Sequence, residues 1–138
     1  GRSTLGFVTM IHKYPIAWKS KVSGSVAQST YESEWIAMNA LTREIVWARD
    51  VFSLVLAPCP GPSVIRIDNR ACELCIGDLC VTEANKHFRP KYFLVVEMSR
   101  KGEVSVTKIT TVENVADMLT KSLGHPAFDN YRSFIGVL

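Results

Sequence analysis

Apolar residues near the start of the chain fall into two short runs, which together predict a β-hairpin. The runs cover residues 5–12 and 16–21. Between them lies Lys13-Tyr14-Pro15, a combination typical of a turn. We therefore expect the turn at residues 13–15.

A long helical repeat comes after the predicted hairpin. Apolar side chains recur every three or four residues from Trp35 to Val55, the spacing of one helix face. Ser29 and Glu32 stand at the two ends of a capping box, which predicts the helix start. The helix must end before Pro58, because proline cannot continue it.

The middle of the chain predicts one strand and two helices. Residues 64–67 form a compact β-branched run, and residues 70–76 form a short helix closed by a glycine. A basic helix is expected within residues 85–101. Pro90 falls inside that range, and since proline is tolerated only in a first turn, we expect the helix to begin near it.

The last third of the chain predicts a strand and two more helices. Residues 103–109 alternate in polarity as a half-exposed strand does. Thr110 and Glu113 form a second capping box, which predicts a helix running to about residue 123. An amphipathic tail helix is expected over residues 127–135. The order β-β-α-β-α-α-β-α-α indicates a single α/β domain over residues 1–138.

Composition says more about the class of protein and its cellular compartment than about its function. With 138 residues, 47% of them apolar, the chain can bury one core. The 16 basic and 13 acidic residues permit a polyanionic partner without requiring one. Four cysteines are too few for a disulfide scaffold, which favours an intracellular, reducing compartment such as cytoplasm, nucleus or organelle matrix. We expect no membrane contact, because no apolar run is long enough to span one.

Three carboxylates occupy positions from which a site could be built. Glu34 lies in the opening turns of the long helix, Asp68 at the exit of a strand and Asp117 early in a capped helix. Hydrolysis of phosphodiesters by two metal ions needs such acidic residues converging from separate elements. The plainer alternative is that they are helix-dipole or capping residues.

Four motifs come in order along the chain: the helix opening around Glu34, the strand end Ile67-Asp68-Asn69, the pair Lys86-His87, and Asn114 with the run Ala116-Asp117-Met118-Leu119-Thr120-Lys121. Together they resemble the ribonuclease H domain of copia-type retrotransposons, from about residue 1 to residue 137. The helix opening is similar to the part that carries the family's catalytic glutamate, and the strand end resembles its Asp-Asn motif. The Lys-His pair resembles one that comes after that motif, and the last run resembles the family's closing motif.

The resemblance implies a ribonuclease H-like mixed sheet flanked by helices, which cuts the RNA strand of an RNA–DNA hybrid with two Mg²⁺ ions. Glu34, Asp68 and Asp117 take the places of three of the family's four catalytic, metal-binding carboxylates. The fourth belongs to a central first strand that should lie upstream of Arg2. Three explanations for this missing strand are left open. The chain is trimmed, another protein supplies the strand, or the protein is a derived one that has lost catalysis.

Nucleic-acid contacts are expected from Asn69, Lys86, His87, Lys91 and Lys121. Basic residues concentrate in the second half of the chain, as on a surface that tracks phosphates, although a solvated helix face is an alternative. Asn69 could contact a sugar hydroxyl or phosphate of RNA, or it could cap the next helix.

A zinc site is a further alternative, since Cys72, Cys75, Cys80 and His87 are suitable ligand types. Two buried cysteines in a short apolar helix are the commoner explanation. For function, the leading hypothesis is ribonuclease H activity as part of, or derived from, a retrotransposon Pol polyprotein. The alternative is an inactive structural or interaction subunit, which requires a protein partner or upstream segment to complete its sheet.

Overall fold

The chain combines α and β elements, as the sequence predicts. The computed structural model describes residues 4–22, 30–77 and 93–137. The strands are β1 (Thr4–Ile11), β2 (Tyr14–Val22), β3 (Ser63–Ile67) and β4 (Val104–Lys108). The helices are α1 (Thr30–Val55), α2 (Arg70–Gly77), α3 (Leu94–Arg100) and α4 (His125–Phe134). Two 3₁₀ turns lie between β4 and α4, at Thr111–Glu113 and Val115–Leu119. We call the second one the Asp117 turn.

The strands of the predicted hairpin are confirmed, but its turn is tighter than expected. Ile11 pairs with Tyr14, so the loop consists of His12 and Lys13 alone. His12 adopts the left-handed conformation that such a two-residue turn demands, with φ of 54°. Pro15 lies within β2 opposite Met10, next to an irregularity in the register. A proline is tolerated there because β2 is an edge strand in the described residues.

The other two strands form a small parallel sheet, with Ile65 opposite Val106 in the register. Side chains from α1, α2 and α3 pack with this sheet to form the core. Trp35, Ile65, Cys72, Val95 and Val104 are fully buried in it. The core therefore lies between the long helix and the β3–β4 pair, whose carboxyl end carries Asp68.

The prediction of one helix from residue 110 to about residue 123 is wrong. The capping box is present, because Thr110 and Glu113 bond each other's backbone and side chain. Asn114 then leaves helical geometry, with ψ of 86°, and divides the segment into two 3₁₀ turns. The tail helix begins at His125, two residues earlier than expected, with Pro126 in its first turn.

The expected late start of the basic helix agrees with α3, which begins at Leu94. Pro90 itself lies outside the described residues. None of the helices in the described ranges has both the length and the apolar character that crossing a membrane requires.

The described strands do not join into one sheet. Within residues 4–22, 30–77 and 93–137, β1 pairs only with β2, and β3 pairs only with β4. Gly6 in β1 lies beside Leu119 and Thr120, next to the Asp117 turn, and Asp68 at the end of β3 acts electrostatically on Lys121 at the same place. The start of β1 and the end of β3 therefore both lie near the Asp117 turn.

Candidate metal and nucleic-acid site

Glu34 lies in the second turn of α1 and carries a half-buried carboxylate. Its Oε2 atom is fully buried and has no hydrogen-bond partner among the described residues. Burial raises the pKa of this carboxyl above its ordinary value. The negative charges of Asp68 and Asp117 raise the pKa further, whereas a hydrogen bond from the Asn69 side chain and the charge of Lys121 lower it. Such an oxygen is a position at which a cation would be favourable.

Asp68 and Asn69 form the short connection between the end of β3 and the start of α2. Asn69 is the amino-terminal cap of α2: its Oδ1 accepts hydrogen bonds from the backbone N–H groups of Ala71 (2.9 Å) and Cys72 (3.3 Å). The same side chain bonds the Glu34 carboxylate. Asn69 thus links α1 to α2 and orients the neighbourhood of Asp68.

Asp117 is the buried acidic residue of the Asp117 turn, with 7% of its surface exposed. Its Oδ1 accepts a hydrogen bond from the Asn114 side chain at 3.3 Å. Its Oδ2 lies 2.7 Å from the ammonium of Lys121. The hydrogen bond to Asp117, with the charges of Asp117 and Asp68, raises the pKa of Lys121.

Three segments that are distant in sequence therefore bring Asp68 and Asp117 into electrostatic range of Glu34. Carboxylate oxygens are the ligands that Mg²⁺ prefers, and the unpartnered Oε2 is an open ligand position. Nevertheless, no three His, Cys, Asp or Glu side chains in the described parts of the chain lie close enough to hold a metal as they stand. The donor set suits a hard cation, but the geometry needs adjustment to bind one.

The remaining predicted residues divide into two groups. Lys86, His87 and Lys91 lie outside the described residues, as does Cys80 of the alternative zinc site. Cys72 and Cys75 are buried in the core. Burial raises the pKa of the Cys72 thiol to about 12, which keeps it protonated and disfavours metal binding, because zinc binds the thiolate.

Sequence reasoning placed Asn114 in the closing motif but gave it no role, although its side chain bonds Asp117. The signal available was its position three residues before the aspartate. It also assigned Lys121 to nucleic acid alone, whereas the structure pairs it with Asp117. The four-residue spacing of that pair is visible in the sequence.

A cleft of about 750 Å³ opens beside this site, between the two sheets. Residues 6–12, in and beyond β1, form one side, and residues 63–68, in and beyond β3, form another. Apolar side chains of α1 such as Met38, Leu41 and Ile45 also line it. We name it the inter-sheet cleft. Thr9 in its wall has a buried Oγ1 without a hydrogen-bond partner among the described residues.

The chain is similar over nearly its whole length to proteins of plant transposons. It is 28% identical over 135 residues to the retrovirus-related Pol polyprotein from transposon RE1 of Arabidopsis thaliana, and 27% over 136 residues to that from transposon RE2 of the same plant. Its identity to the retrovirus-related Pol polyprotein from transposon TNT 1-94 of Nicotiana tabacum is 29% over 136 residues. No family model and no solved structure matches the chain. The chain spans only 9–10% of the length of these polyproteins, and is therefore similar to one short stretch of retrovirus-related Pol polyproteins.

Proposed function

We propose that this chain carries out ribonuclease H-type hydrolysis of the RNA strand of an RNA–DNA hybrid, as part of or derived from a retrotransposon Pol polyprotein. One observation supports this most directly. The buried, unpartnered Oε2 of Glu34 lies in the electrostatic range of Asp68 and Asp117, and a folded protein rarely leaves such an oxygen without a partner. A bound cation would supply that partner.

In this proposal Glu34, Asp68 and Asp117 hold Mg²⁺, with two ions expected in the active enzyme. When bound, the ions supply a nucleophilic water and stabilise the leaving oxygen of the in-line displacement. Asn69 holds Glu34 in place while its capping bonds fix the start of α2. Lys121, with the predicted contacts Lys86, His87 and Lys91, binds nucleic-acid phosphates.

The test is Mg²⁺-dependent cleavage of a labelled RNA–DNA hybrid by the chain joined to its native adjoining sequence. Asp68→Asn should reduce the rate at least about 100-fold, as expected for loss of a group that stabilises transition-state charge. Asp50→Asn is the matched control, because Asp50 is an exposed acid on α1. Equal rates for Asp68→Asn and the unsubstituted protein, or no cleavage at all with the native extension, would overturn the enzymatic proposal.

A second candidate function, a structural or interaction subunit, is favoured by the inter-sheet cleft. Residues of β1 and of β3, each of which has a single strand partner in the described residues, both line this cleft. An extended strand that enters the cleft could bond to both β1 and β3 at once. The orphaned Oγ1 of Thr9 would then face an occupant with polar groups.

Amide hydrogen exchange distinguishes this second candidate. If a strand from the adjoining sequence or a partner fills the cleft, amides on both β1 and β3 become protected when it is present. Thr9→Lys should abolish that protection, because it puts a charge into the cleft wall. Thr107→Lys, an exposed site on β4, should leave the protection unchanged. Protection with no hybrid cleavage would favour the structural function over the enzymatic one.

A further inference from the structure

A short ion pair with Asp117 holds Lys121 against the acidic site, and the two side chains of this pair differ in exposure. Its Nζ lies 2.7 Å from Oδ2 of Asp117, whose side chain is only 11% exposed, whereas the lysine side chain is 51% exposed. The backbone N–H of Lys121 also bonds the carbonyl of Asp117 at 3.1 Å, which anchors the lysine to the Asp117 turn. The carboxylate is thus fixed, while the ammonium retains an open route to solvent.

The ion pair occupies one of the oxygens that a metal ion would need. Lys121 also faces the charge of Asp68, and its charge reaches Glu34. Three carboxylates and one ammonium leave a net negative charge at this site, which a divalent cation could neutralise. A cation that coordinates Oδ2 at about 2.1 Å cannot share that oxygen with an ammonium in hydrogen-bond contact without strong repulsion.

We propose that Lys121 is a resident counter-ion of Asp117, that a divalent cation displaces it, and that the freed ammonium then contacts a phosphate of bound nucleic acid. This inference rests on the proposed function and adds an order of events to it. Because the side chain is half exposed and flexible, it can exchange partners without any backbone movement. Metal and nucleic acid are thereby coupled through one residue.

Two measurements on the full chain test the exchange. The first is Mn²⁺ binding without nucleic acid, monitored by the magnetic resonance signal of the free ion. Lys121→Met should lower the dissociation constant about 5-fold to 10-fold, in the range of a typical coupling between sites. Lys121→Arg keeps the charge and should bind Mn²⁺ as the unsubstituted protein does. Lys101→Met is the matched control, because Lys101 makes a similar 2.7 Å pair with Glu97 on α3, and it should change nothing.

The second measurement is hybrid binding by fluorescence anisotropy, with and without Ca²⁺. With Ca²⁺, Lys121→Met should weaken binding about 5-fold, as loss of one phosphate contact does, and the salt dependence should fall. Without Ca²⁺ the variant and the unsubstituted protein should bind equally, because the ammonium is then held by Asp117. A lysine that merely lies nearby would contribute equally in both conditions, and that result would overturn the exchange.

The failures of the two proposals are distinguishable. If neither the unsubstituted chain nor Lys121→Met binds Mn²⁺, the metal site is wrong and the inference falls with it. If the unsubstituted chain binds Mn²⁺ and Lys121→Met binds it no more tightly, the exchange alone is overturned and the metal site stands.

Discussion

Asn39 of α1 bonds the backbone of Val95 in the first turn of α3. Its Oδ1 accepts a hydrogen bond from the Val95 N–H at 3.2 Å, and its Nδ2 donates one to the carbonyl of Trp35 at 2.9 Å. The Asn39 side chain is completely buried. Because the first N–H groups of a helix have no partner within that helix, α1 supplies a cap for α3 from within the core.

Replacing Asn39 with alanine should destabilise the protein by about 2–4 kcal/mol, because the buried Val95 N–H loses its acceptor and a cavity remains. Urea unfolding measures the change. Asn130→Ala, at an exposed site of α4, is the control and should stay within about 0.5 kcal/mol. Similar losses for the two variants would show that Asn39 does not act as this cap.

Glu34→Gln should stabilise the protein at pH 7. The pKa of Glu34 is raised in the folded state, chiefly by burial, so its ionised form is less favourable there than in the unfolded chain. This cost is present above the folded pKa and disappears as the pH falls below the ordinary pKa of the carboxyl, where both states are protonated. The substitution removes the cost, and we expect a higher melting temperature at pH 7.

Thermal melts of Glu34→Gln at pH 7 and at pH 3.5 measure this gain. It should be present at pH 7 and absent at pH 3.5, while Asp50→Asn should show no such gain at either pH. A gain that does not change with pH would point to a cause other than ionisation. A gain in stability is expected when a proposed metal-binding carboxylate is removed, because its buried negative charge destabilises the protein while no metal is bound.

Periodicity predicted most of the secondary structure, because the elements that carry the core repeat at helix or strand spacing. The predicted bounds of α1, β3 and α2 agree with the structure within a residue or two. Ser29, the predicted capping residue of α1, lies outside the described residues. The segment after β4 was mispredicted because a capping box specifies only a first turn. The conformation beyond that turn depends on Asn114, whose side chain turns toward Asp117 and whose backbone leaves the helix.

The residues of the candidate site could be predicted from the sequence, but the contacts between them could not. Its acidic residues could be named in advance, but the unpartnered state of Glu34 Oε2 depends on burial by segments distant in sequence. The same holds for Asn69, for which two roles were left open. The capping role is observed in the structure, whereas the nucleic-acid role stays a prediction.

Cys72 should be inert to thiol reagents while the protein is folded. Its side chain is fully buried, and burial raises its pKa to about 12, so no thiolate forms at pH 8. Cys59 is more exposed and should react faster than Cys72. Alkylation with iodoacetamide at pH 8, mapped by mass spectrometry, measures both rates. Equal rates for the two cysteines in the folded protein would contradict this assignment and would revive the zinc alternative.

Gly6→Ala should disturb the Asp117 turn from the neighbouring strand. A Cβ at Gly6 would lie 2.7 Å from Cγ2 of Thr120, so that one of the two must shift, and it would lie a tight 3.0 Å from Cβ of Leu119. Overpacking of this kind costs about 1–3 kcal/mol. Thr120 bonds the Asp117 carbonyl through both its N–H and its hydroxyl, so a shift of Thr120 also moves the carboxylate. Mn²⁺ affinity should therefore fall together with stability.

Two further variants separate this steric effect from a general effect of alanine. Gly124→Ala is the matched control: nothing lies within 4 Å of its added Cβ, and its φ of −63° suits any residue, so stability should hardly change. Adding Thr120→Ser to Gly6→Ala removes the clashing methyl group and keeps the hydroxyl. The double variant should regain both stability and Mn²⁺ affinity. If stability returns without metal affinity, the Asp117 turn packs against β1 without controlling the metal site.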